Sequence, residues 1–151
     1  MLKFSKKMLF AIEAVLDIAY HANTEPVQSR EITRRQGIPQ RYLEQALQQL
    51  VREDILVGIR GPKGGYRLAR ERRRITIGDI VRAVRKTEGS DDPIRDTEGS
   101  ELGQSIVRPL WVDLLESLMG QLDDITIGAL CEKAAEEGIV SENSKKLDFT
   151  I

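Results

Sequence analysis

The residues best suited to chemistry stand in two short runs, Gln40-Arg41-Tyr42-Leu43-Glu44-Gln45 with Gln48 just beyond, and Arg60-Gly61-Pro62-Lys63-Gly64-Gly65. The polar types in the first run are those that read base edges. Arginine donates two bonds to guanine, glutamine pairs with adenine, and glutamate accepts from the cytosine amino group. A helix face that only solvates itself carries the same types, so this run alone leaves both readings open. The second run is a glycine-rich turn whose backbone can approach a partner closely, which suits Arg60 and Lys63 to a minor groove or to phosphates. Glycines also expose N–H groups to a nucleotide phosphate. That alternative lacks the Gly-Lys-Ser/Thr ending and a helix directly after the loop.

Catalytic groups are sparse. The one histidine, His21, is far in sequence from the one cysteine, Cys131, and a helix-end or core role accounts for each. No nucleophile–base pair or metal-ligand spacing is present, which argues against an enzyme. Cys131 follows Ile127 and Leu130 at helical spacing, which predicts a buried thiol, with a redox-active thiol as the alternative. A lone cysteine cannot form an intramolecular disulfide, in keeping with a reducing, cytoplasmic setting.

The elements that position these residues follow from apolar spacing and caps. Met8, Leu9, Ile12, Val15, Leu16 and Ala19 recur at three- and four-residue steps behind Ser5, which predicts an amphipathic helix ending near His21. Ser29 and Glu31 open a short second helix that Gly37 stops. Pro39 fits the first turn of a third, running to about Arg52 with Tyr42, Leu43, Ala46, Leu47, Leu50 and Val51 inward. Two helices around a glycine turn make a helix-turn-helix, whose second helix offers Gln40, Arg41, Glu44, Gln45 and Gln48 to bases. Ser29 joins them as a candidate contact.

Apolar runs at 55–59 and 66–69 flank the Gly/Pro turn, which predicts a β-hairpin wing whose tip residues Arg60, Gly61, Pro62, Lys63 and Gly64 face DNA. Thr76 with Asp79 caps the next helix. Ile75-Thr76-Ile77-Gly78 recurs as Ile125-Thr126-Ile127-Gly128, and two threonine N-caps explain the recurrence without a repeat. A helix over about 104–122 carries Ile106, Leu110, Leu114, Leu118 and Leu122 in a stripe broad enough for its own core and another subunit.

The fold expected is therefore mostly α with a small β-hairpin wing. A winged helix-turn-helix domain covers 1–86, a flexible acidic loop 87–104, a dimerisation helix and C-terminal helix 105–140, and a fraying tail 141–151. Composition agrees: 40% hydrophobic, 31% charged and 5% aromatic residues suit a soluble helical protein with no membrane span. Glu13 and Asp17 in the first helix argue against a cleaved signal. The net charge of −1 conceals a segregation, because residues 1–86 carry 18 Lys or Arg against 9 Asp or Glu, and residues 87–151 carry 5 against 15. A first half at +9 suits a polyanion such as double-stranded DNA, and a second half at −10 is repelled by one. Two solvated charged faces without a partner are the plainer reading.

Tyr42-Leu43-Glu44-Gln45, Arg60-Gly61-Pro62-Lys63-Gly64-Gly65-Tyr66, Ile77-Gly78-Asp79-Ile80 and Leu110-Trp111 resemble the IscR-type winged-helix regulators. These are a bacterial family of iron–sulphur, nitric-oxide and cysteine-metabolism repressors, and the resemblance spans about residues 1–135. It implies a homodimer joined through the long helix, with DNA read by Glu44 and Arg60 and assisted by residues from Pro39 to Tyr42. Many members hold an iron–sulphur cluster on three cysteines before the Leu-Trp helix, yet residues 87–110 contain none. Ser105 and Arg108 stand where those members place a cysteine and a further ligand, and neither replaces a thiolate on iron. The chain thus resembles a cluster-free member with no cofactor, a steric repressor whose effector is a small molecule or a partner protein. The competing expectation is a regulatory interaction module acting through another protein.

Overall fold

The computed structural model describes residues 5–87 and 98–142. Helix α1, Lys6–Tyr20, starts at Ser5, whose hydroxyl accepts from the Met8 N–H at 3.3 Å and so satisfies one of the unpaired first-turn donors. It buries Met8, Ala11, Ala14, Val15, Ile18 and Ala19. The small alanines let neighbouring helices approach, and α1 forms the central strut of the core. Leu9 departs from expectation and is exposed.

Helix α2, Ser29–Gln36, buries only Ile32. Its first turn is held by the Glu31 carboxylate, which accepts from the Gln28 N–H at 3.0 Å. Gly37 ends it in the left-handed region at φ 66°, its N–H donating to Thr33 O at 2.9 Å. Helix α3, Gln40–Arg52, follows from Pro39 and buries Leu43, Ala46, Leu47 and Leu50. Tyr42 is a correction: it lies 53% exposed rather than inward, with its ring 6.3 Å from that of Phe10.

Strands β1, Leu56–Ile59, and β2, Gly65–Leu68, pair antiparallel with Leu56 opposite Leu68 and Ile59 opposite Gly65. Val27 extends the ribbon, exchanging N–H···O bonds of 3.0 and 2.8 Å with Tyr66. That single bridge anchors the wing to the chain entering α2. A 3-10 turn, Arg72–Arg74, leads into α4, Ile77–Arg85, where Thr76 and Asp79 bond each other's N–H at 3.0 Å.

The long helix begins earlier than expected, at residue 101, and passes through a π-helical turn, Gly103–Val107, before α5, Arg108–Asp123. Pro109 in the first turn of α5 has no N–H and its ring crowds the carbonyl four residues back, which is the local reason for a wide turn there. Residues 98–104 of the expected acidic loop are described and partly helical; 88–97 lie outside the described residues. Helix α6, Ile127–Glu136, is capped by Thr126, whose hydroxyl accepts from the Ala129 N–H at 3.0 Å. Beyond it the chain returns to α1 and does not fray at its first two tail positions. Ser141 donates to Tyr20 O at 2.8 Å, and the Glu142 N–H donates to His21 Nδ1 at 3.0 Å. Residues 143–151 lie outside the described residues.

One apolar core joins α1, α3, α4, β1 and α6, with Ile75 and Ile127 fully buried between the two halves. Among the described residues no helix is long and apolar enough to cross a membrane.

Candidate nucleic-acid interface

Helix α3 turns its apolar side to the core, so its opposite side is the one left for a partner. Gln40, Arg41, Glu44, Gln45 and Gln48 are all exposed, at helical steps that keep them on one face, and Pro39 and Tyr42 are exposed beside them. The expected readers therefore do share a surface. Gln40 organises its start: its side-chain amide donates to Glu44 Oε1 at 3.0 Å and to Ser29 Oγ at 3.4 Å, and its oxygen accepts from the Thr33 hydroxyl at 2.9 Å. These bonds tie the first turn of α3 to α2, so Glu44 is held before any partner arrives.

The wing is built on close backbone contact. A Cβ at Gly64 would fall 2.2 Å from Ile59 O, and one at Gly65 would fall 2.4 Å from Val27 O, so neither position takes a side chain without rearrangement. The tight tip leaves Arg60, Gly61, Pro62 and Lys63 exposed. Lys63 stands 4.0 Å from Glu25, a largely exposed pair that a phosphate displaces at little cost. Between the wing and the start of α2 lies an open cleft of about 530 Å³ lined by Ser29, Arg30, Ile59, Arg60 and Gly64 among others. First-turn N–H groups of α2 with two arginines at one cleft suit a phosphate. Arg30 was not anticipated from sequence; it directly follows Ser29, and that adjacency was the available signal.

Buried charge braces this surface from behind. The Asp17 carboxylate, with no exposed side-chain area, accepts from Arg35 at 2.8 and 2.9 Å and from the Gln36 amide at 2.7 Å. Glu142 accepts from Arg35 at 2.8 Å and from Arg34 at 2.9 Å. Burial works against the Arg35 charge, but the bonds and charges of Asp17 and then Glu142 outweigh it and hold the guanidinium above its ordinary value. This network fixes α2 on α1, and sequence reading did not find it because its members lie on separate segments.

The expected dimerisation residues divide. Ile106, Leu110 and Leu114 are exposed together with Leu102, Val107 and Trp111, whereas Leu118 is half-buried and Leu122, with Met119, packs on the chain's own core. Cys131 is 2% exposed. Burial pushes its thiol up, against the opposing charge of Arg72, so thiolate is scarce at neutral pH.

The Rrf2 family, described as iron-dependent transcriptional regulators, matches residues 4–133. The HTH-type transcriptional regulators IscR of Klebsiella pneumoniae (strain 342) and Vibrio atlanticus (strain LGP32) are each 35% identical, over 131 and 134 residues. Those alignments span 85% of this chain and 79% and 75% of theirs. Among solved structures, T. potens IscR is similar with a TM-score of 0.71 and 32% identity over 93% of both chains. CymR, the global cysteine regulator of B. subtilis, follows at 0.70 and 29%, covering 88% of this chain and 98% of its own. Fold and relatives together make this chain a DNA-binding winged helix-turn-helix transcriptional regulator. It belongs to the Rrf2 family.

The family's description names iron, and the residues do not fit a thiolate-held cluster. The chain has one cysteine, it is buried in α6, and among the described residues no group of three His, Cys, Asp or Glu is arranged to hold a metal. Arg108, at the head of α5, donates to Glu98 O at 2.6 Å.

Proposed function

We propose that the chain is a cytoplasmic, homodimeric repressor that recognises its operator through α3 and the wing and acts by occluding a promoter. The observation that carries this reading is the pre-set face of α3, where Gln40 holds Glu44 beside Arg41, Gln45 and Gln48. A carboxylate near DNA repels phosphates, so its place among the readers is sensible only if it discriminates between bases. Arg60 on the wing reaches a base edge, while Lys63, with Ser29 and Arg30 at the cleft, supplies the backbone contacts.

Dimerisation through α5 is supported by the exposed row Leu102, Ile106, Leu110 and Leu114, continued by Leu118 and Leu122 toward the core. An apolar row of that length on a solvated helix is a surface for a partner, and a second copy of the same helix matches it. No catalytic step and no iron–sulphur cluster enter the mechanism; the signal is a small molecule or a partner protein. The alternative, a module docking a different protein on α5, makes a monomer of the purified chain. Solution mass and genome-wide DNA pulldown with the purified protein test the proposal together. A dimer that enriches one sequence motif supports it, and a monomer that enriches none overturns it.

A further inference from the structure

Helix α4 stands between the recognition helix and the dimerisation helix and is fastened to both. On the α3 side, the buried Gln49 amide donates to Ala83 O at 3.1 Å, and Lys86 pairs with Glu53 at 2.8 Å. On the α5 side, Arg82 forms a fork with Asp123, donating to Oδ1 at 2.7 Å and to Oδ2 at 2.6 Å. The chain approaches so closely there that a Cβ on Gly78 would lie 1.8 Å from Asp123 Oδ1 and 3.2 Å from its backbone N. Beneath the fork the two Ile-Thr-Ile-Gly peptides pair antiparallel at Thr76 and Thr126. Ile77 N–H donates to Ile125 O at 2.9 Å and Ile127 N–H to Ile75 O at 2.8 Å. The charges continue toward the wing, since Asp79 lies 4.0 Å from Arg82 and accepts from Arg70, just past β2, at 3.2 Å.

No residue of α5 is buried, and its apolar attachment to the domain is through half-buried side chains such as Met119 and Leu122. Apolar packing attracts without direction. A bidentate guanidinium–carboxylate pair, by contrast, fixes two bonds in one plane and so selects an orientation. In a dimer whose seam is α5, the orientation at this joint sets where the two copies of α3 point. One base pair more or less between half-sites moves them apart by about 3.4 Å and turns them by about a tenth of a helical turn, so small rotations at the joint are read out as operator fit.

We propose that Arg82 and Asp123 are positioning residues that fix α5 against the DNA-binding domain and thereby select the spacing between the two operator half-sites. This rests on the dimeric DNA-binding reading above. Arg82 and Asp123 keep 50% and 39% of their side-chain area exposed, so the pair adds little to fold stability. Its loss is therefore separable from unfolding.

The test is binding of the full-length chain to a panel of duplexes in which two identical half-sites are separated by stepped spacers, with single-base half-site variants measured alongside. Wild type favours one spacing. Arg82→Ala and Asp123→Ala each lower its preference over the neighbouring spacings about two- to fivefold, the range an exposed ion pair supports. The double variant goes no further, because one contact is lost in all three. Arg82→Lys keeps the charge, loses the fork and behaves as Arg82→Ala. Base preference within a half-site and the dimer mass stay as in wild type. Spacing profiles that remain wild-type in these variants, or that change only in step with lost base preference, overturn the inference and leave the dimeric reading standing. A monomeric wild type, or one indifferent to spacing, overturns both.

Discussion

The Gln40 amide reaches Glu44 Oε1 at 3.0 Å, one turn along α3, while the Thr33 hydroxyl of α2 steadies Gln40 at 2.9 Å. The Glu44 carboxylate is thus oriented by the helix behind it. Glu44→Ala should relax preference at one base pair by about 1–3 kcal/mol and lower total affinity by less. Gln40→Ala should relax the same base pair more weakly, because the carboxylate remains and only its tether goes. Competition with single-base operator variants measures both. Unchanged specificity in both variants removes Glu44 from recognition.

Arg60 and Lys63 lie three residues apart on one tip and are expected to differ in kind. Arg60→Ala weakens cognate binding by about 1–3 kcal/mol and blurs the preference at one position, as loss of a base-edge contact does. Lys63→Ala weakens every sequence alike and lowers the slope of log affinity against log salt by about 0.9. Titrations on cognate and scrambled duplexes at several salt concentrations separate the two outcomes.

Asp17 and Arg35 form the most buried ion pair described, with side-chain exposures of 0% and 9%. Asp17→Ala leaves a guanidinium in the interior with one partner fewer and costs about 3–5 kcal/mol. Glu142→Ala, acting on the exposed edge of the same network, costs under about 1 kcal/mol. Urea unfolding of the two variants ranks them, and equal losses contradict the assignment of Asp17 as the anchor.

His21 accepts from the Glu142 N–H and must be neutral to do so. Burial, then the charge of Arg35, holds its imidazole below the ordinary value, with Asp17 and Glu142 pulling the other way and Arg34 adding to the depression. The unfolded chain therefore takes up this proton first. Stability from this group is full above about pH 6.5 and declines as pH falls below it. His21→Gln keeps an acceptor and cannot titrate, so its unfolding midpoint should fall less than that of wild type between about pH 7.5 and about pH 5.5. Equal declines place the titration elsewhere.

Local signals carried most of the fold. Ser5, Thr76 and Thr126 each cap the helix that follows them, because capping is decided within four residues. Periodicity names a face but not whether a neighbour covers it, so Leu9 and Tyr42 share the apolar spacing of their helices and yet are exposed. The exposed face of α3 was legible residue by residue, whereas the Gln40 tether needed α2 and α3 in their places. Asp17 with Arg35, Arg82 with Asp123, and the return of Ser141 and Glu142 to α1 join segments distant in sequence. No local pattern encodes them. The twin Ile-Thr-Ile-Gly peptides were visible as two caps, but their pairing with each other belongs to the tertiary fold.

The central claim is a dimer that reads sequence, and the mass of its DNA complex tests it most directly. Sedimentation of the full-length chain with its enriched duplex, and with a scrambled duplex in the same buffer, should show two 17.0 kDa chains on the first and markedly weaker association with the second. One chain per duplex, or equal association with both, would contradict it.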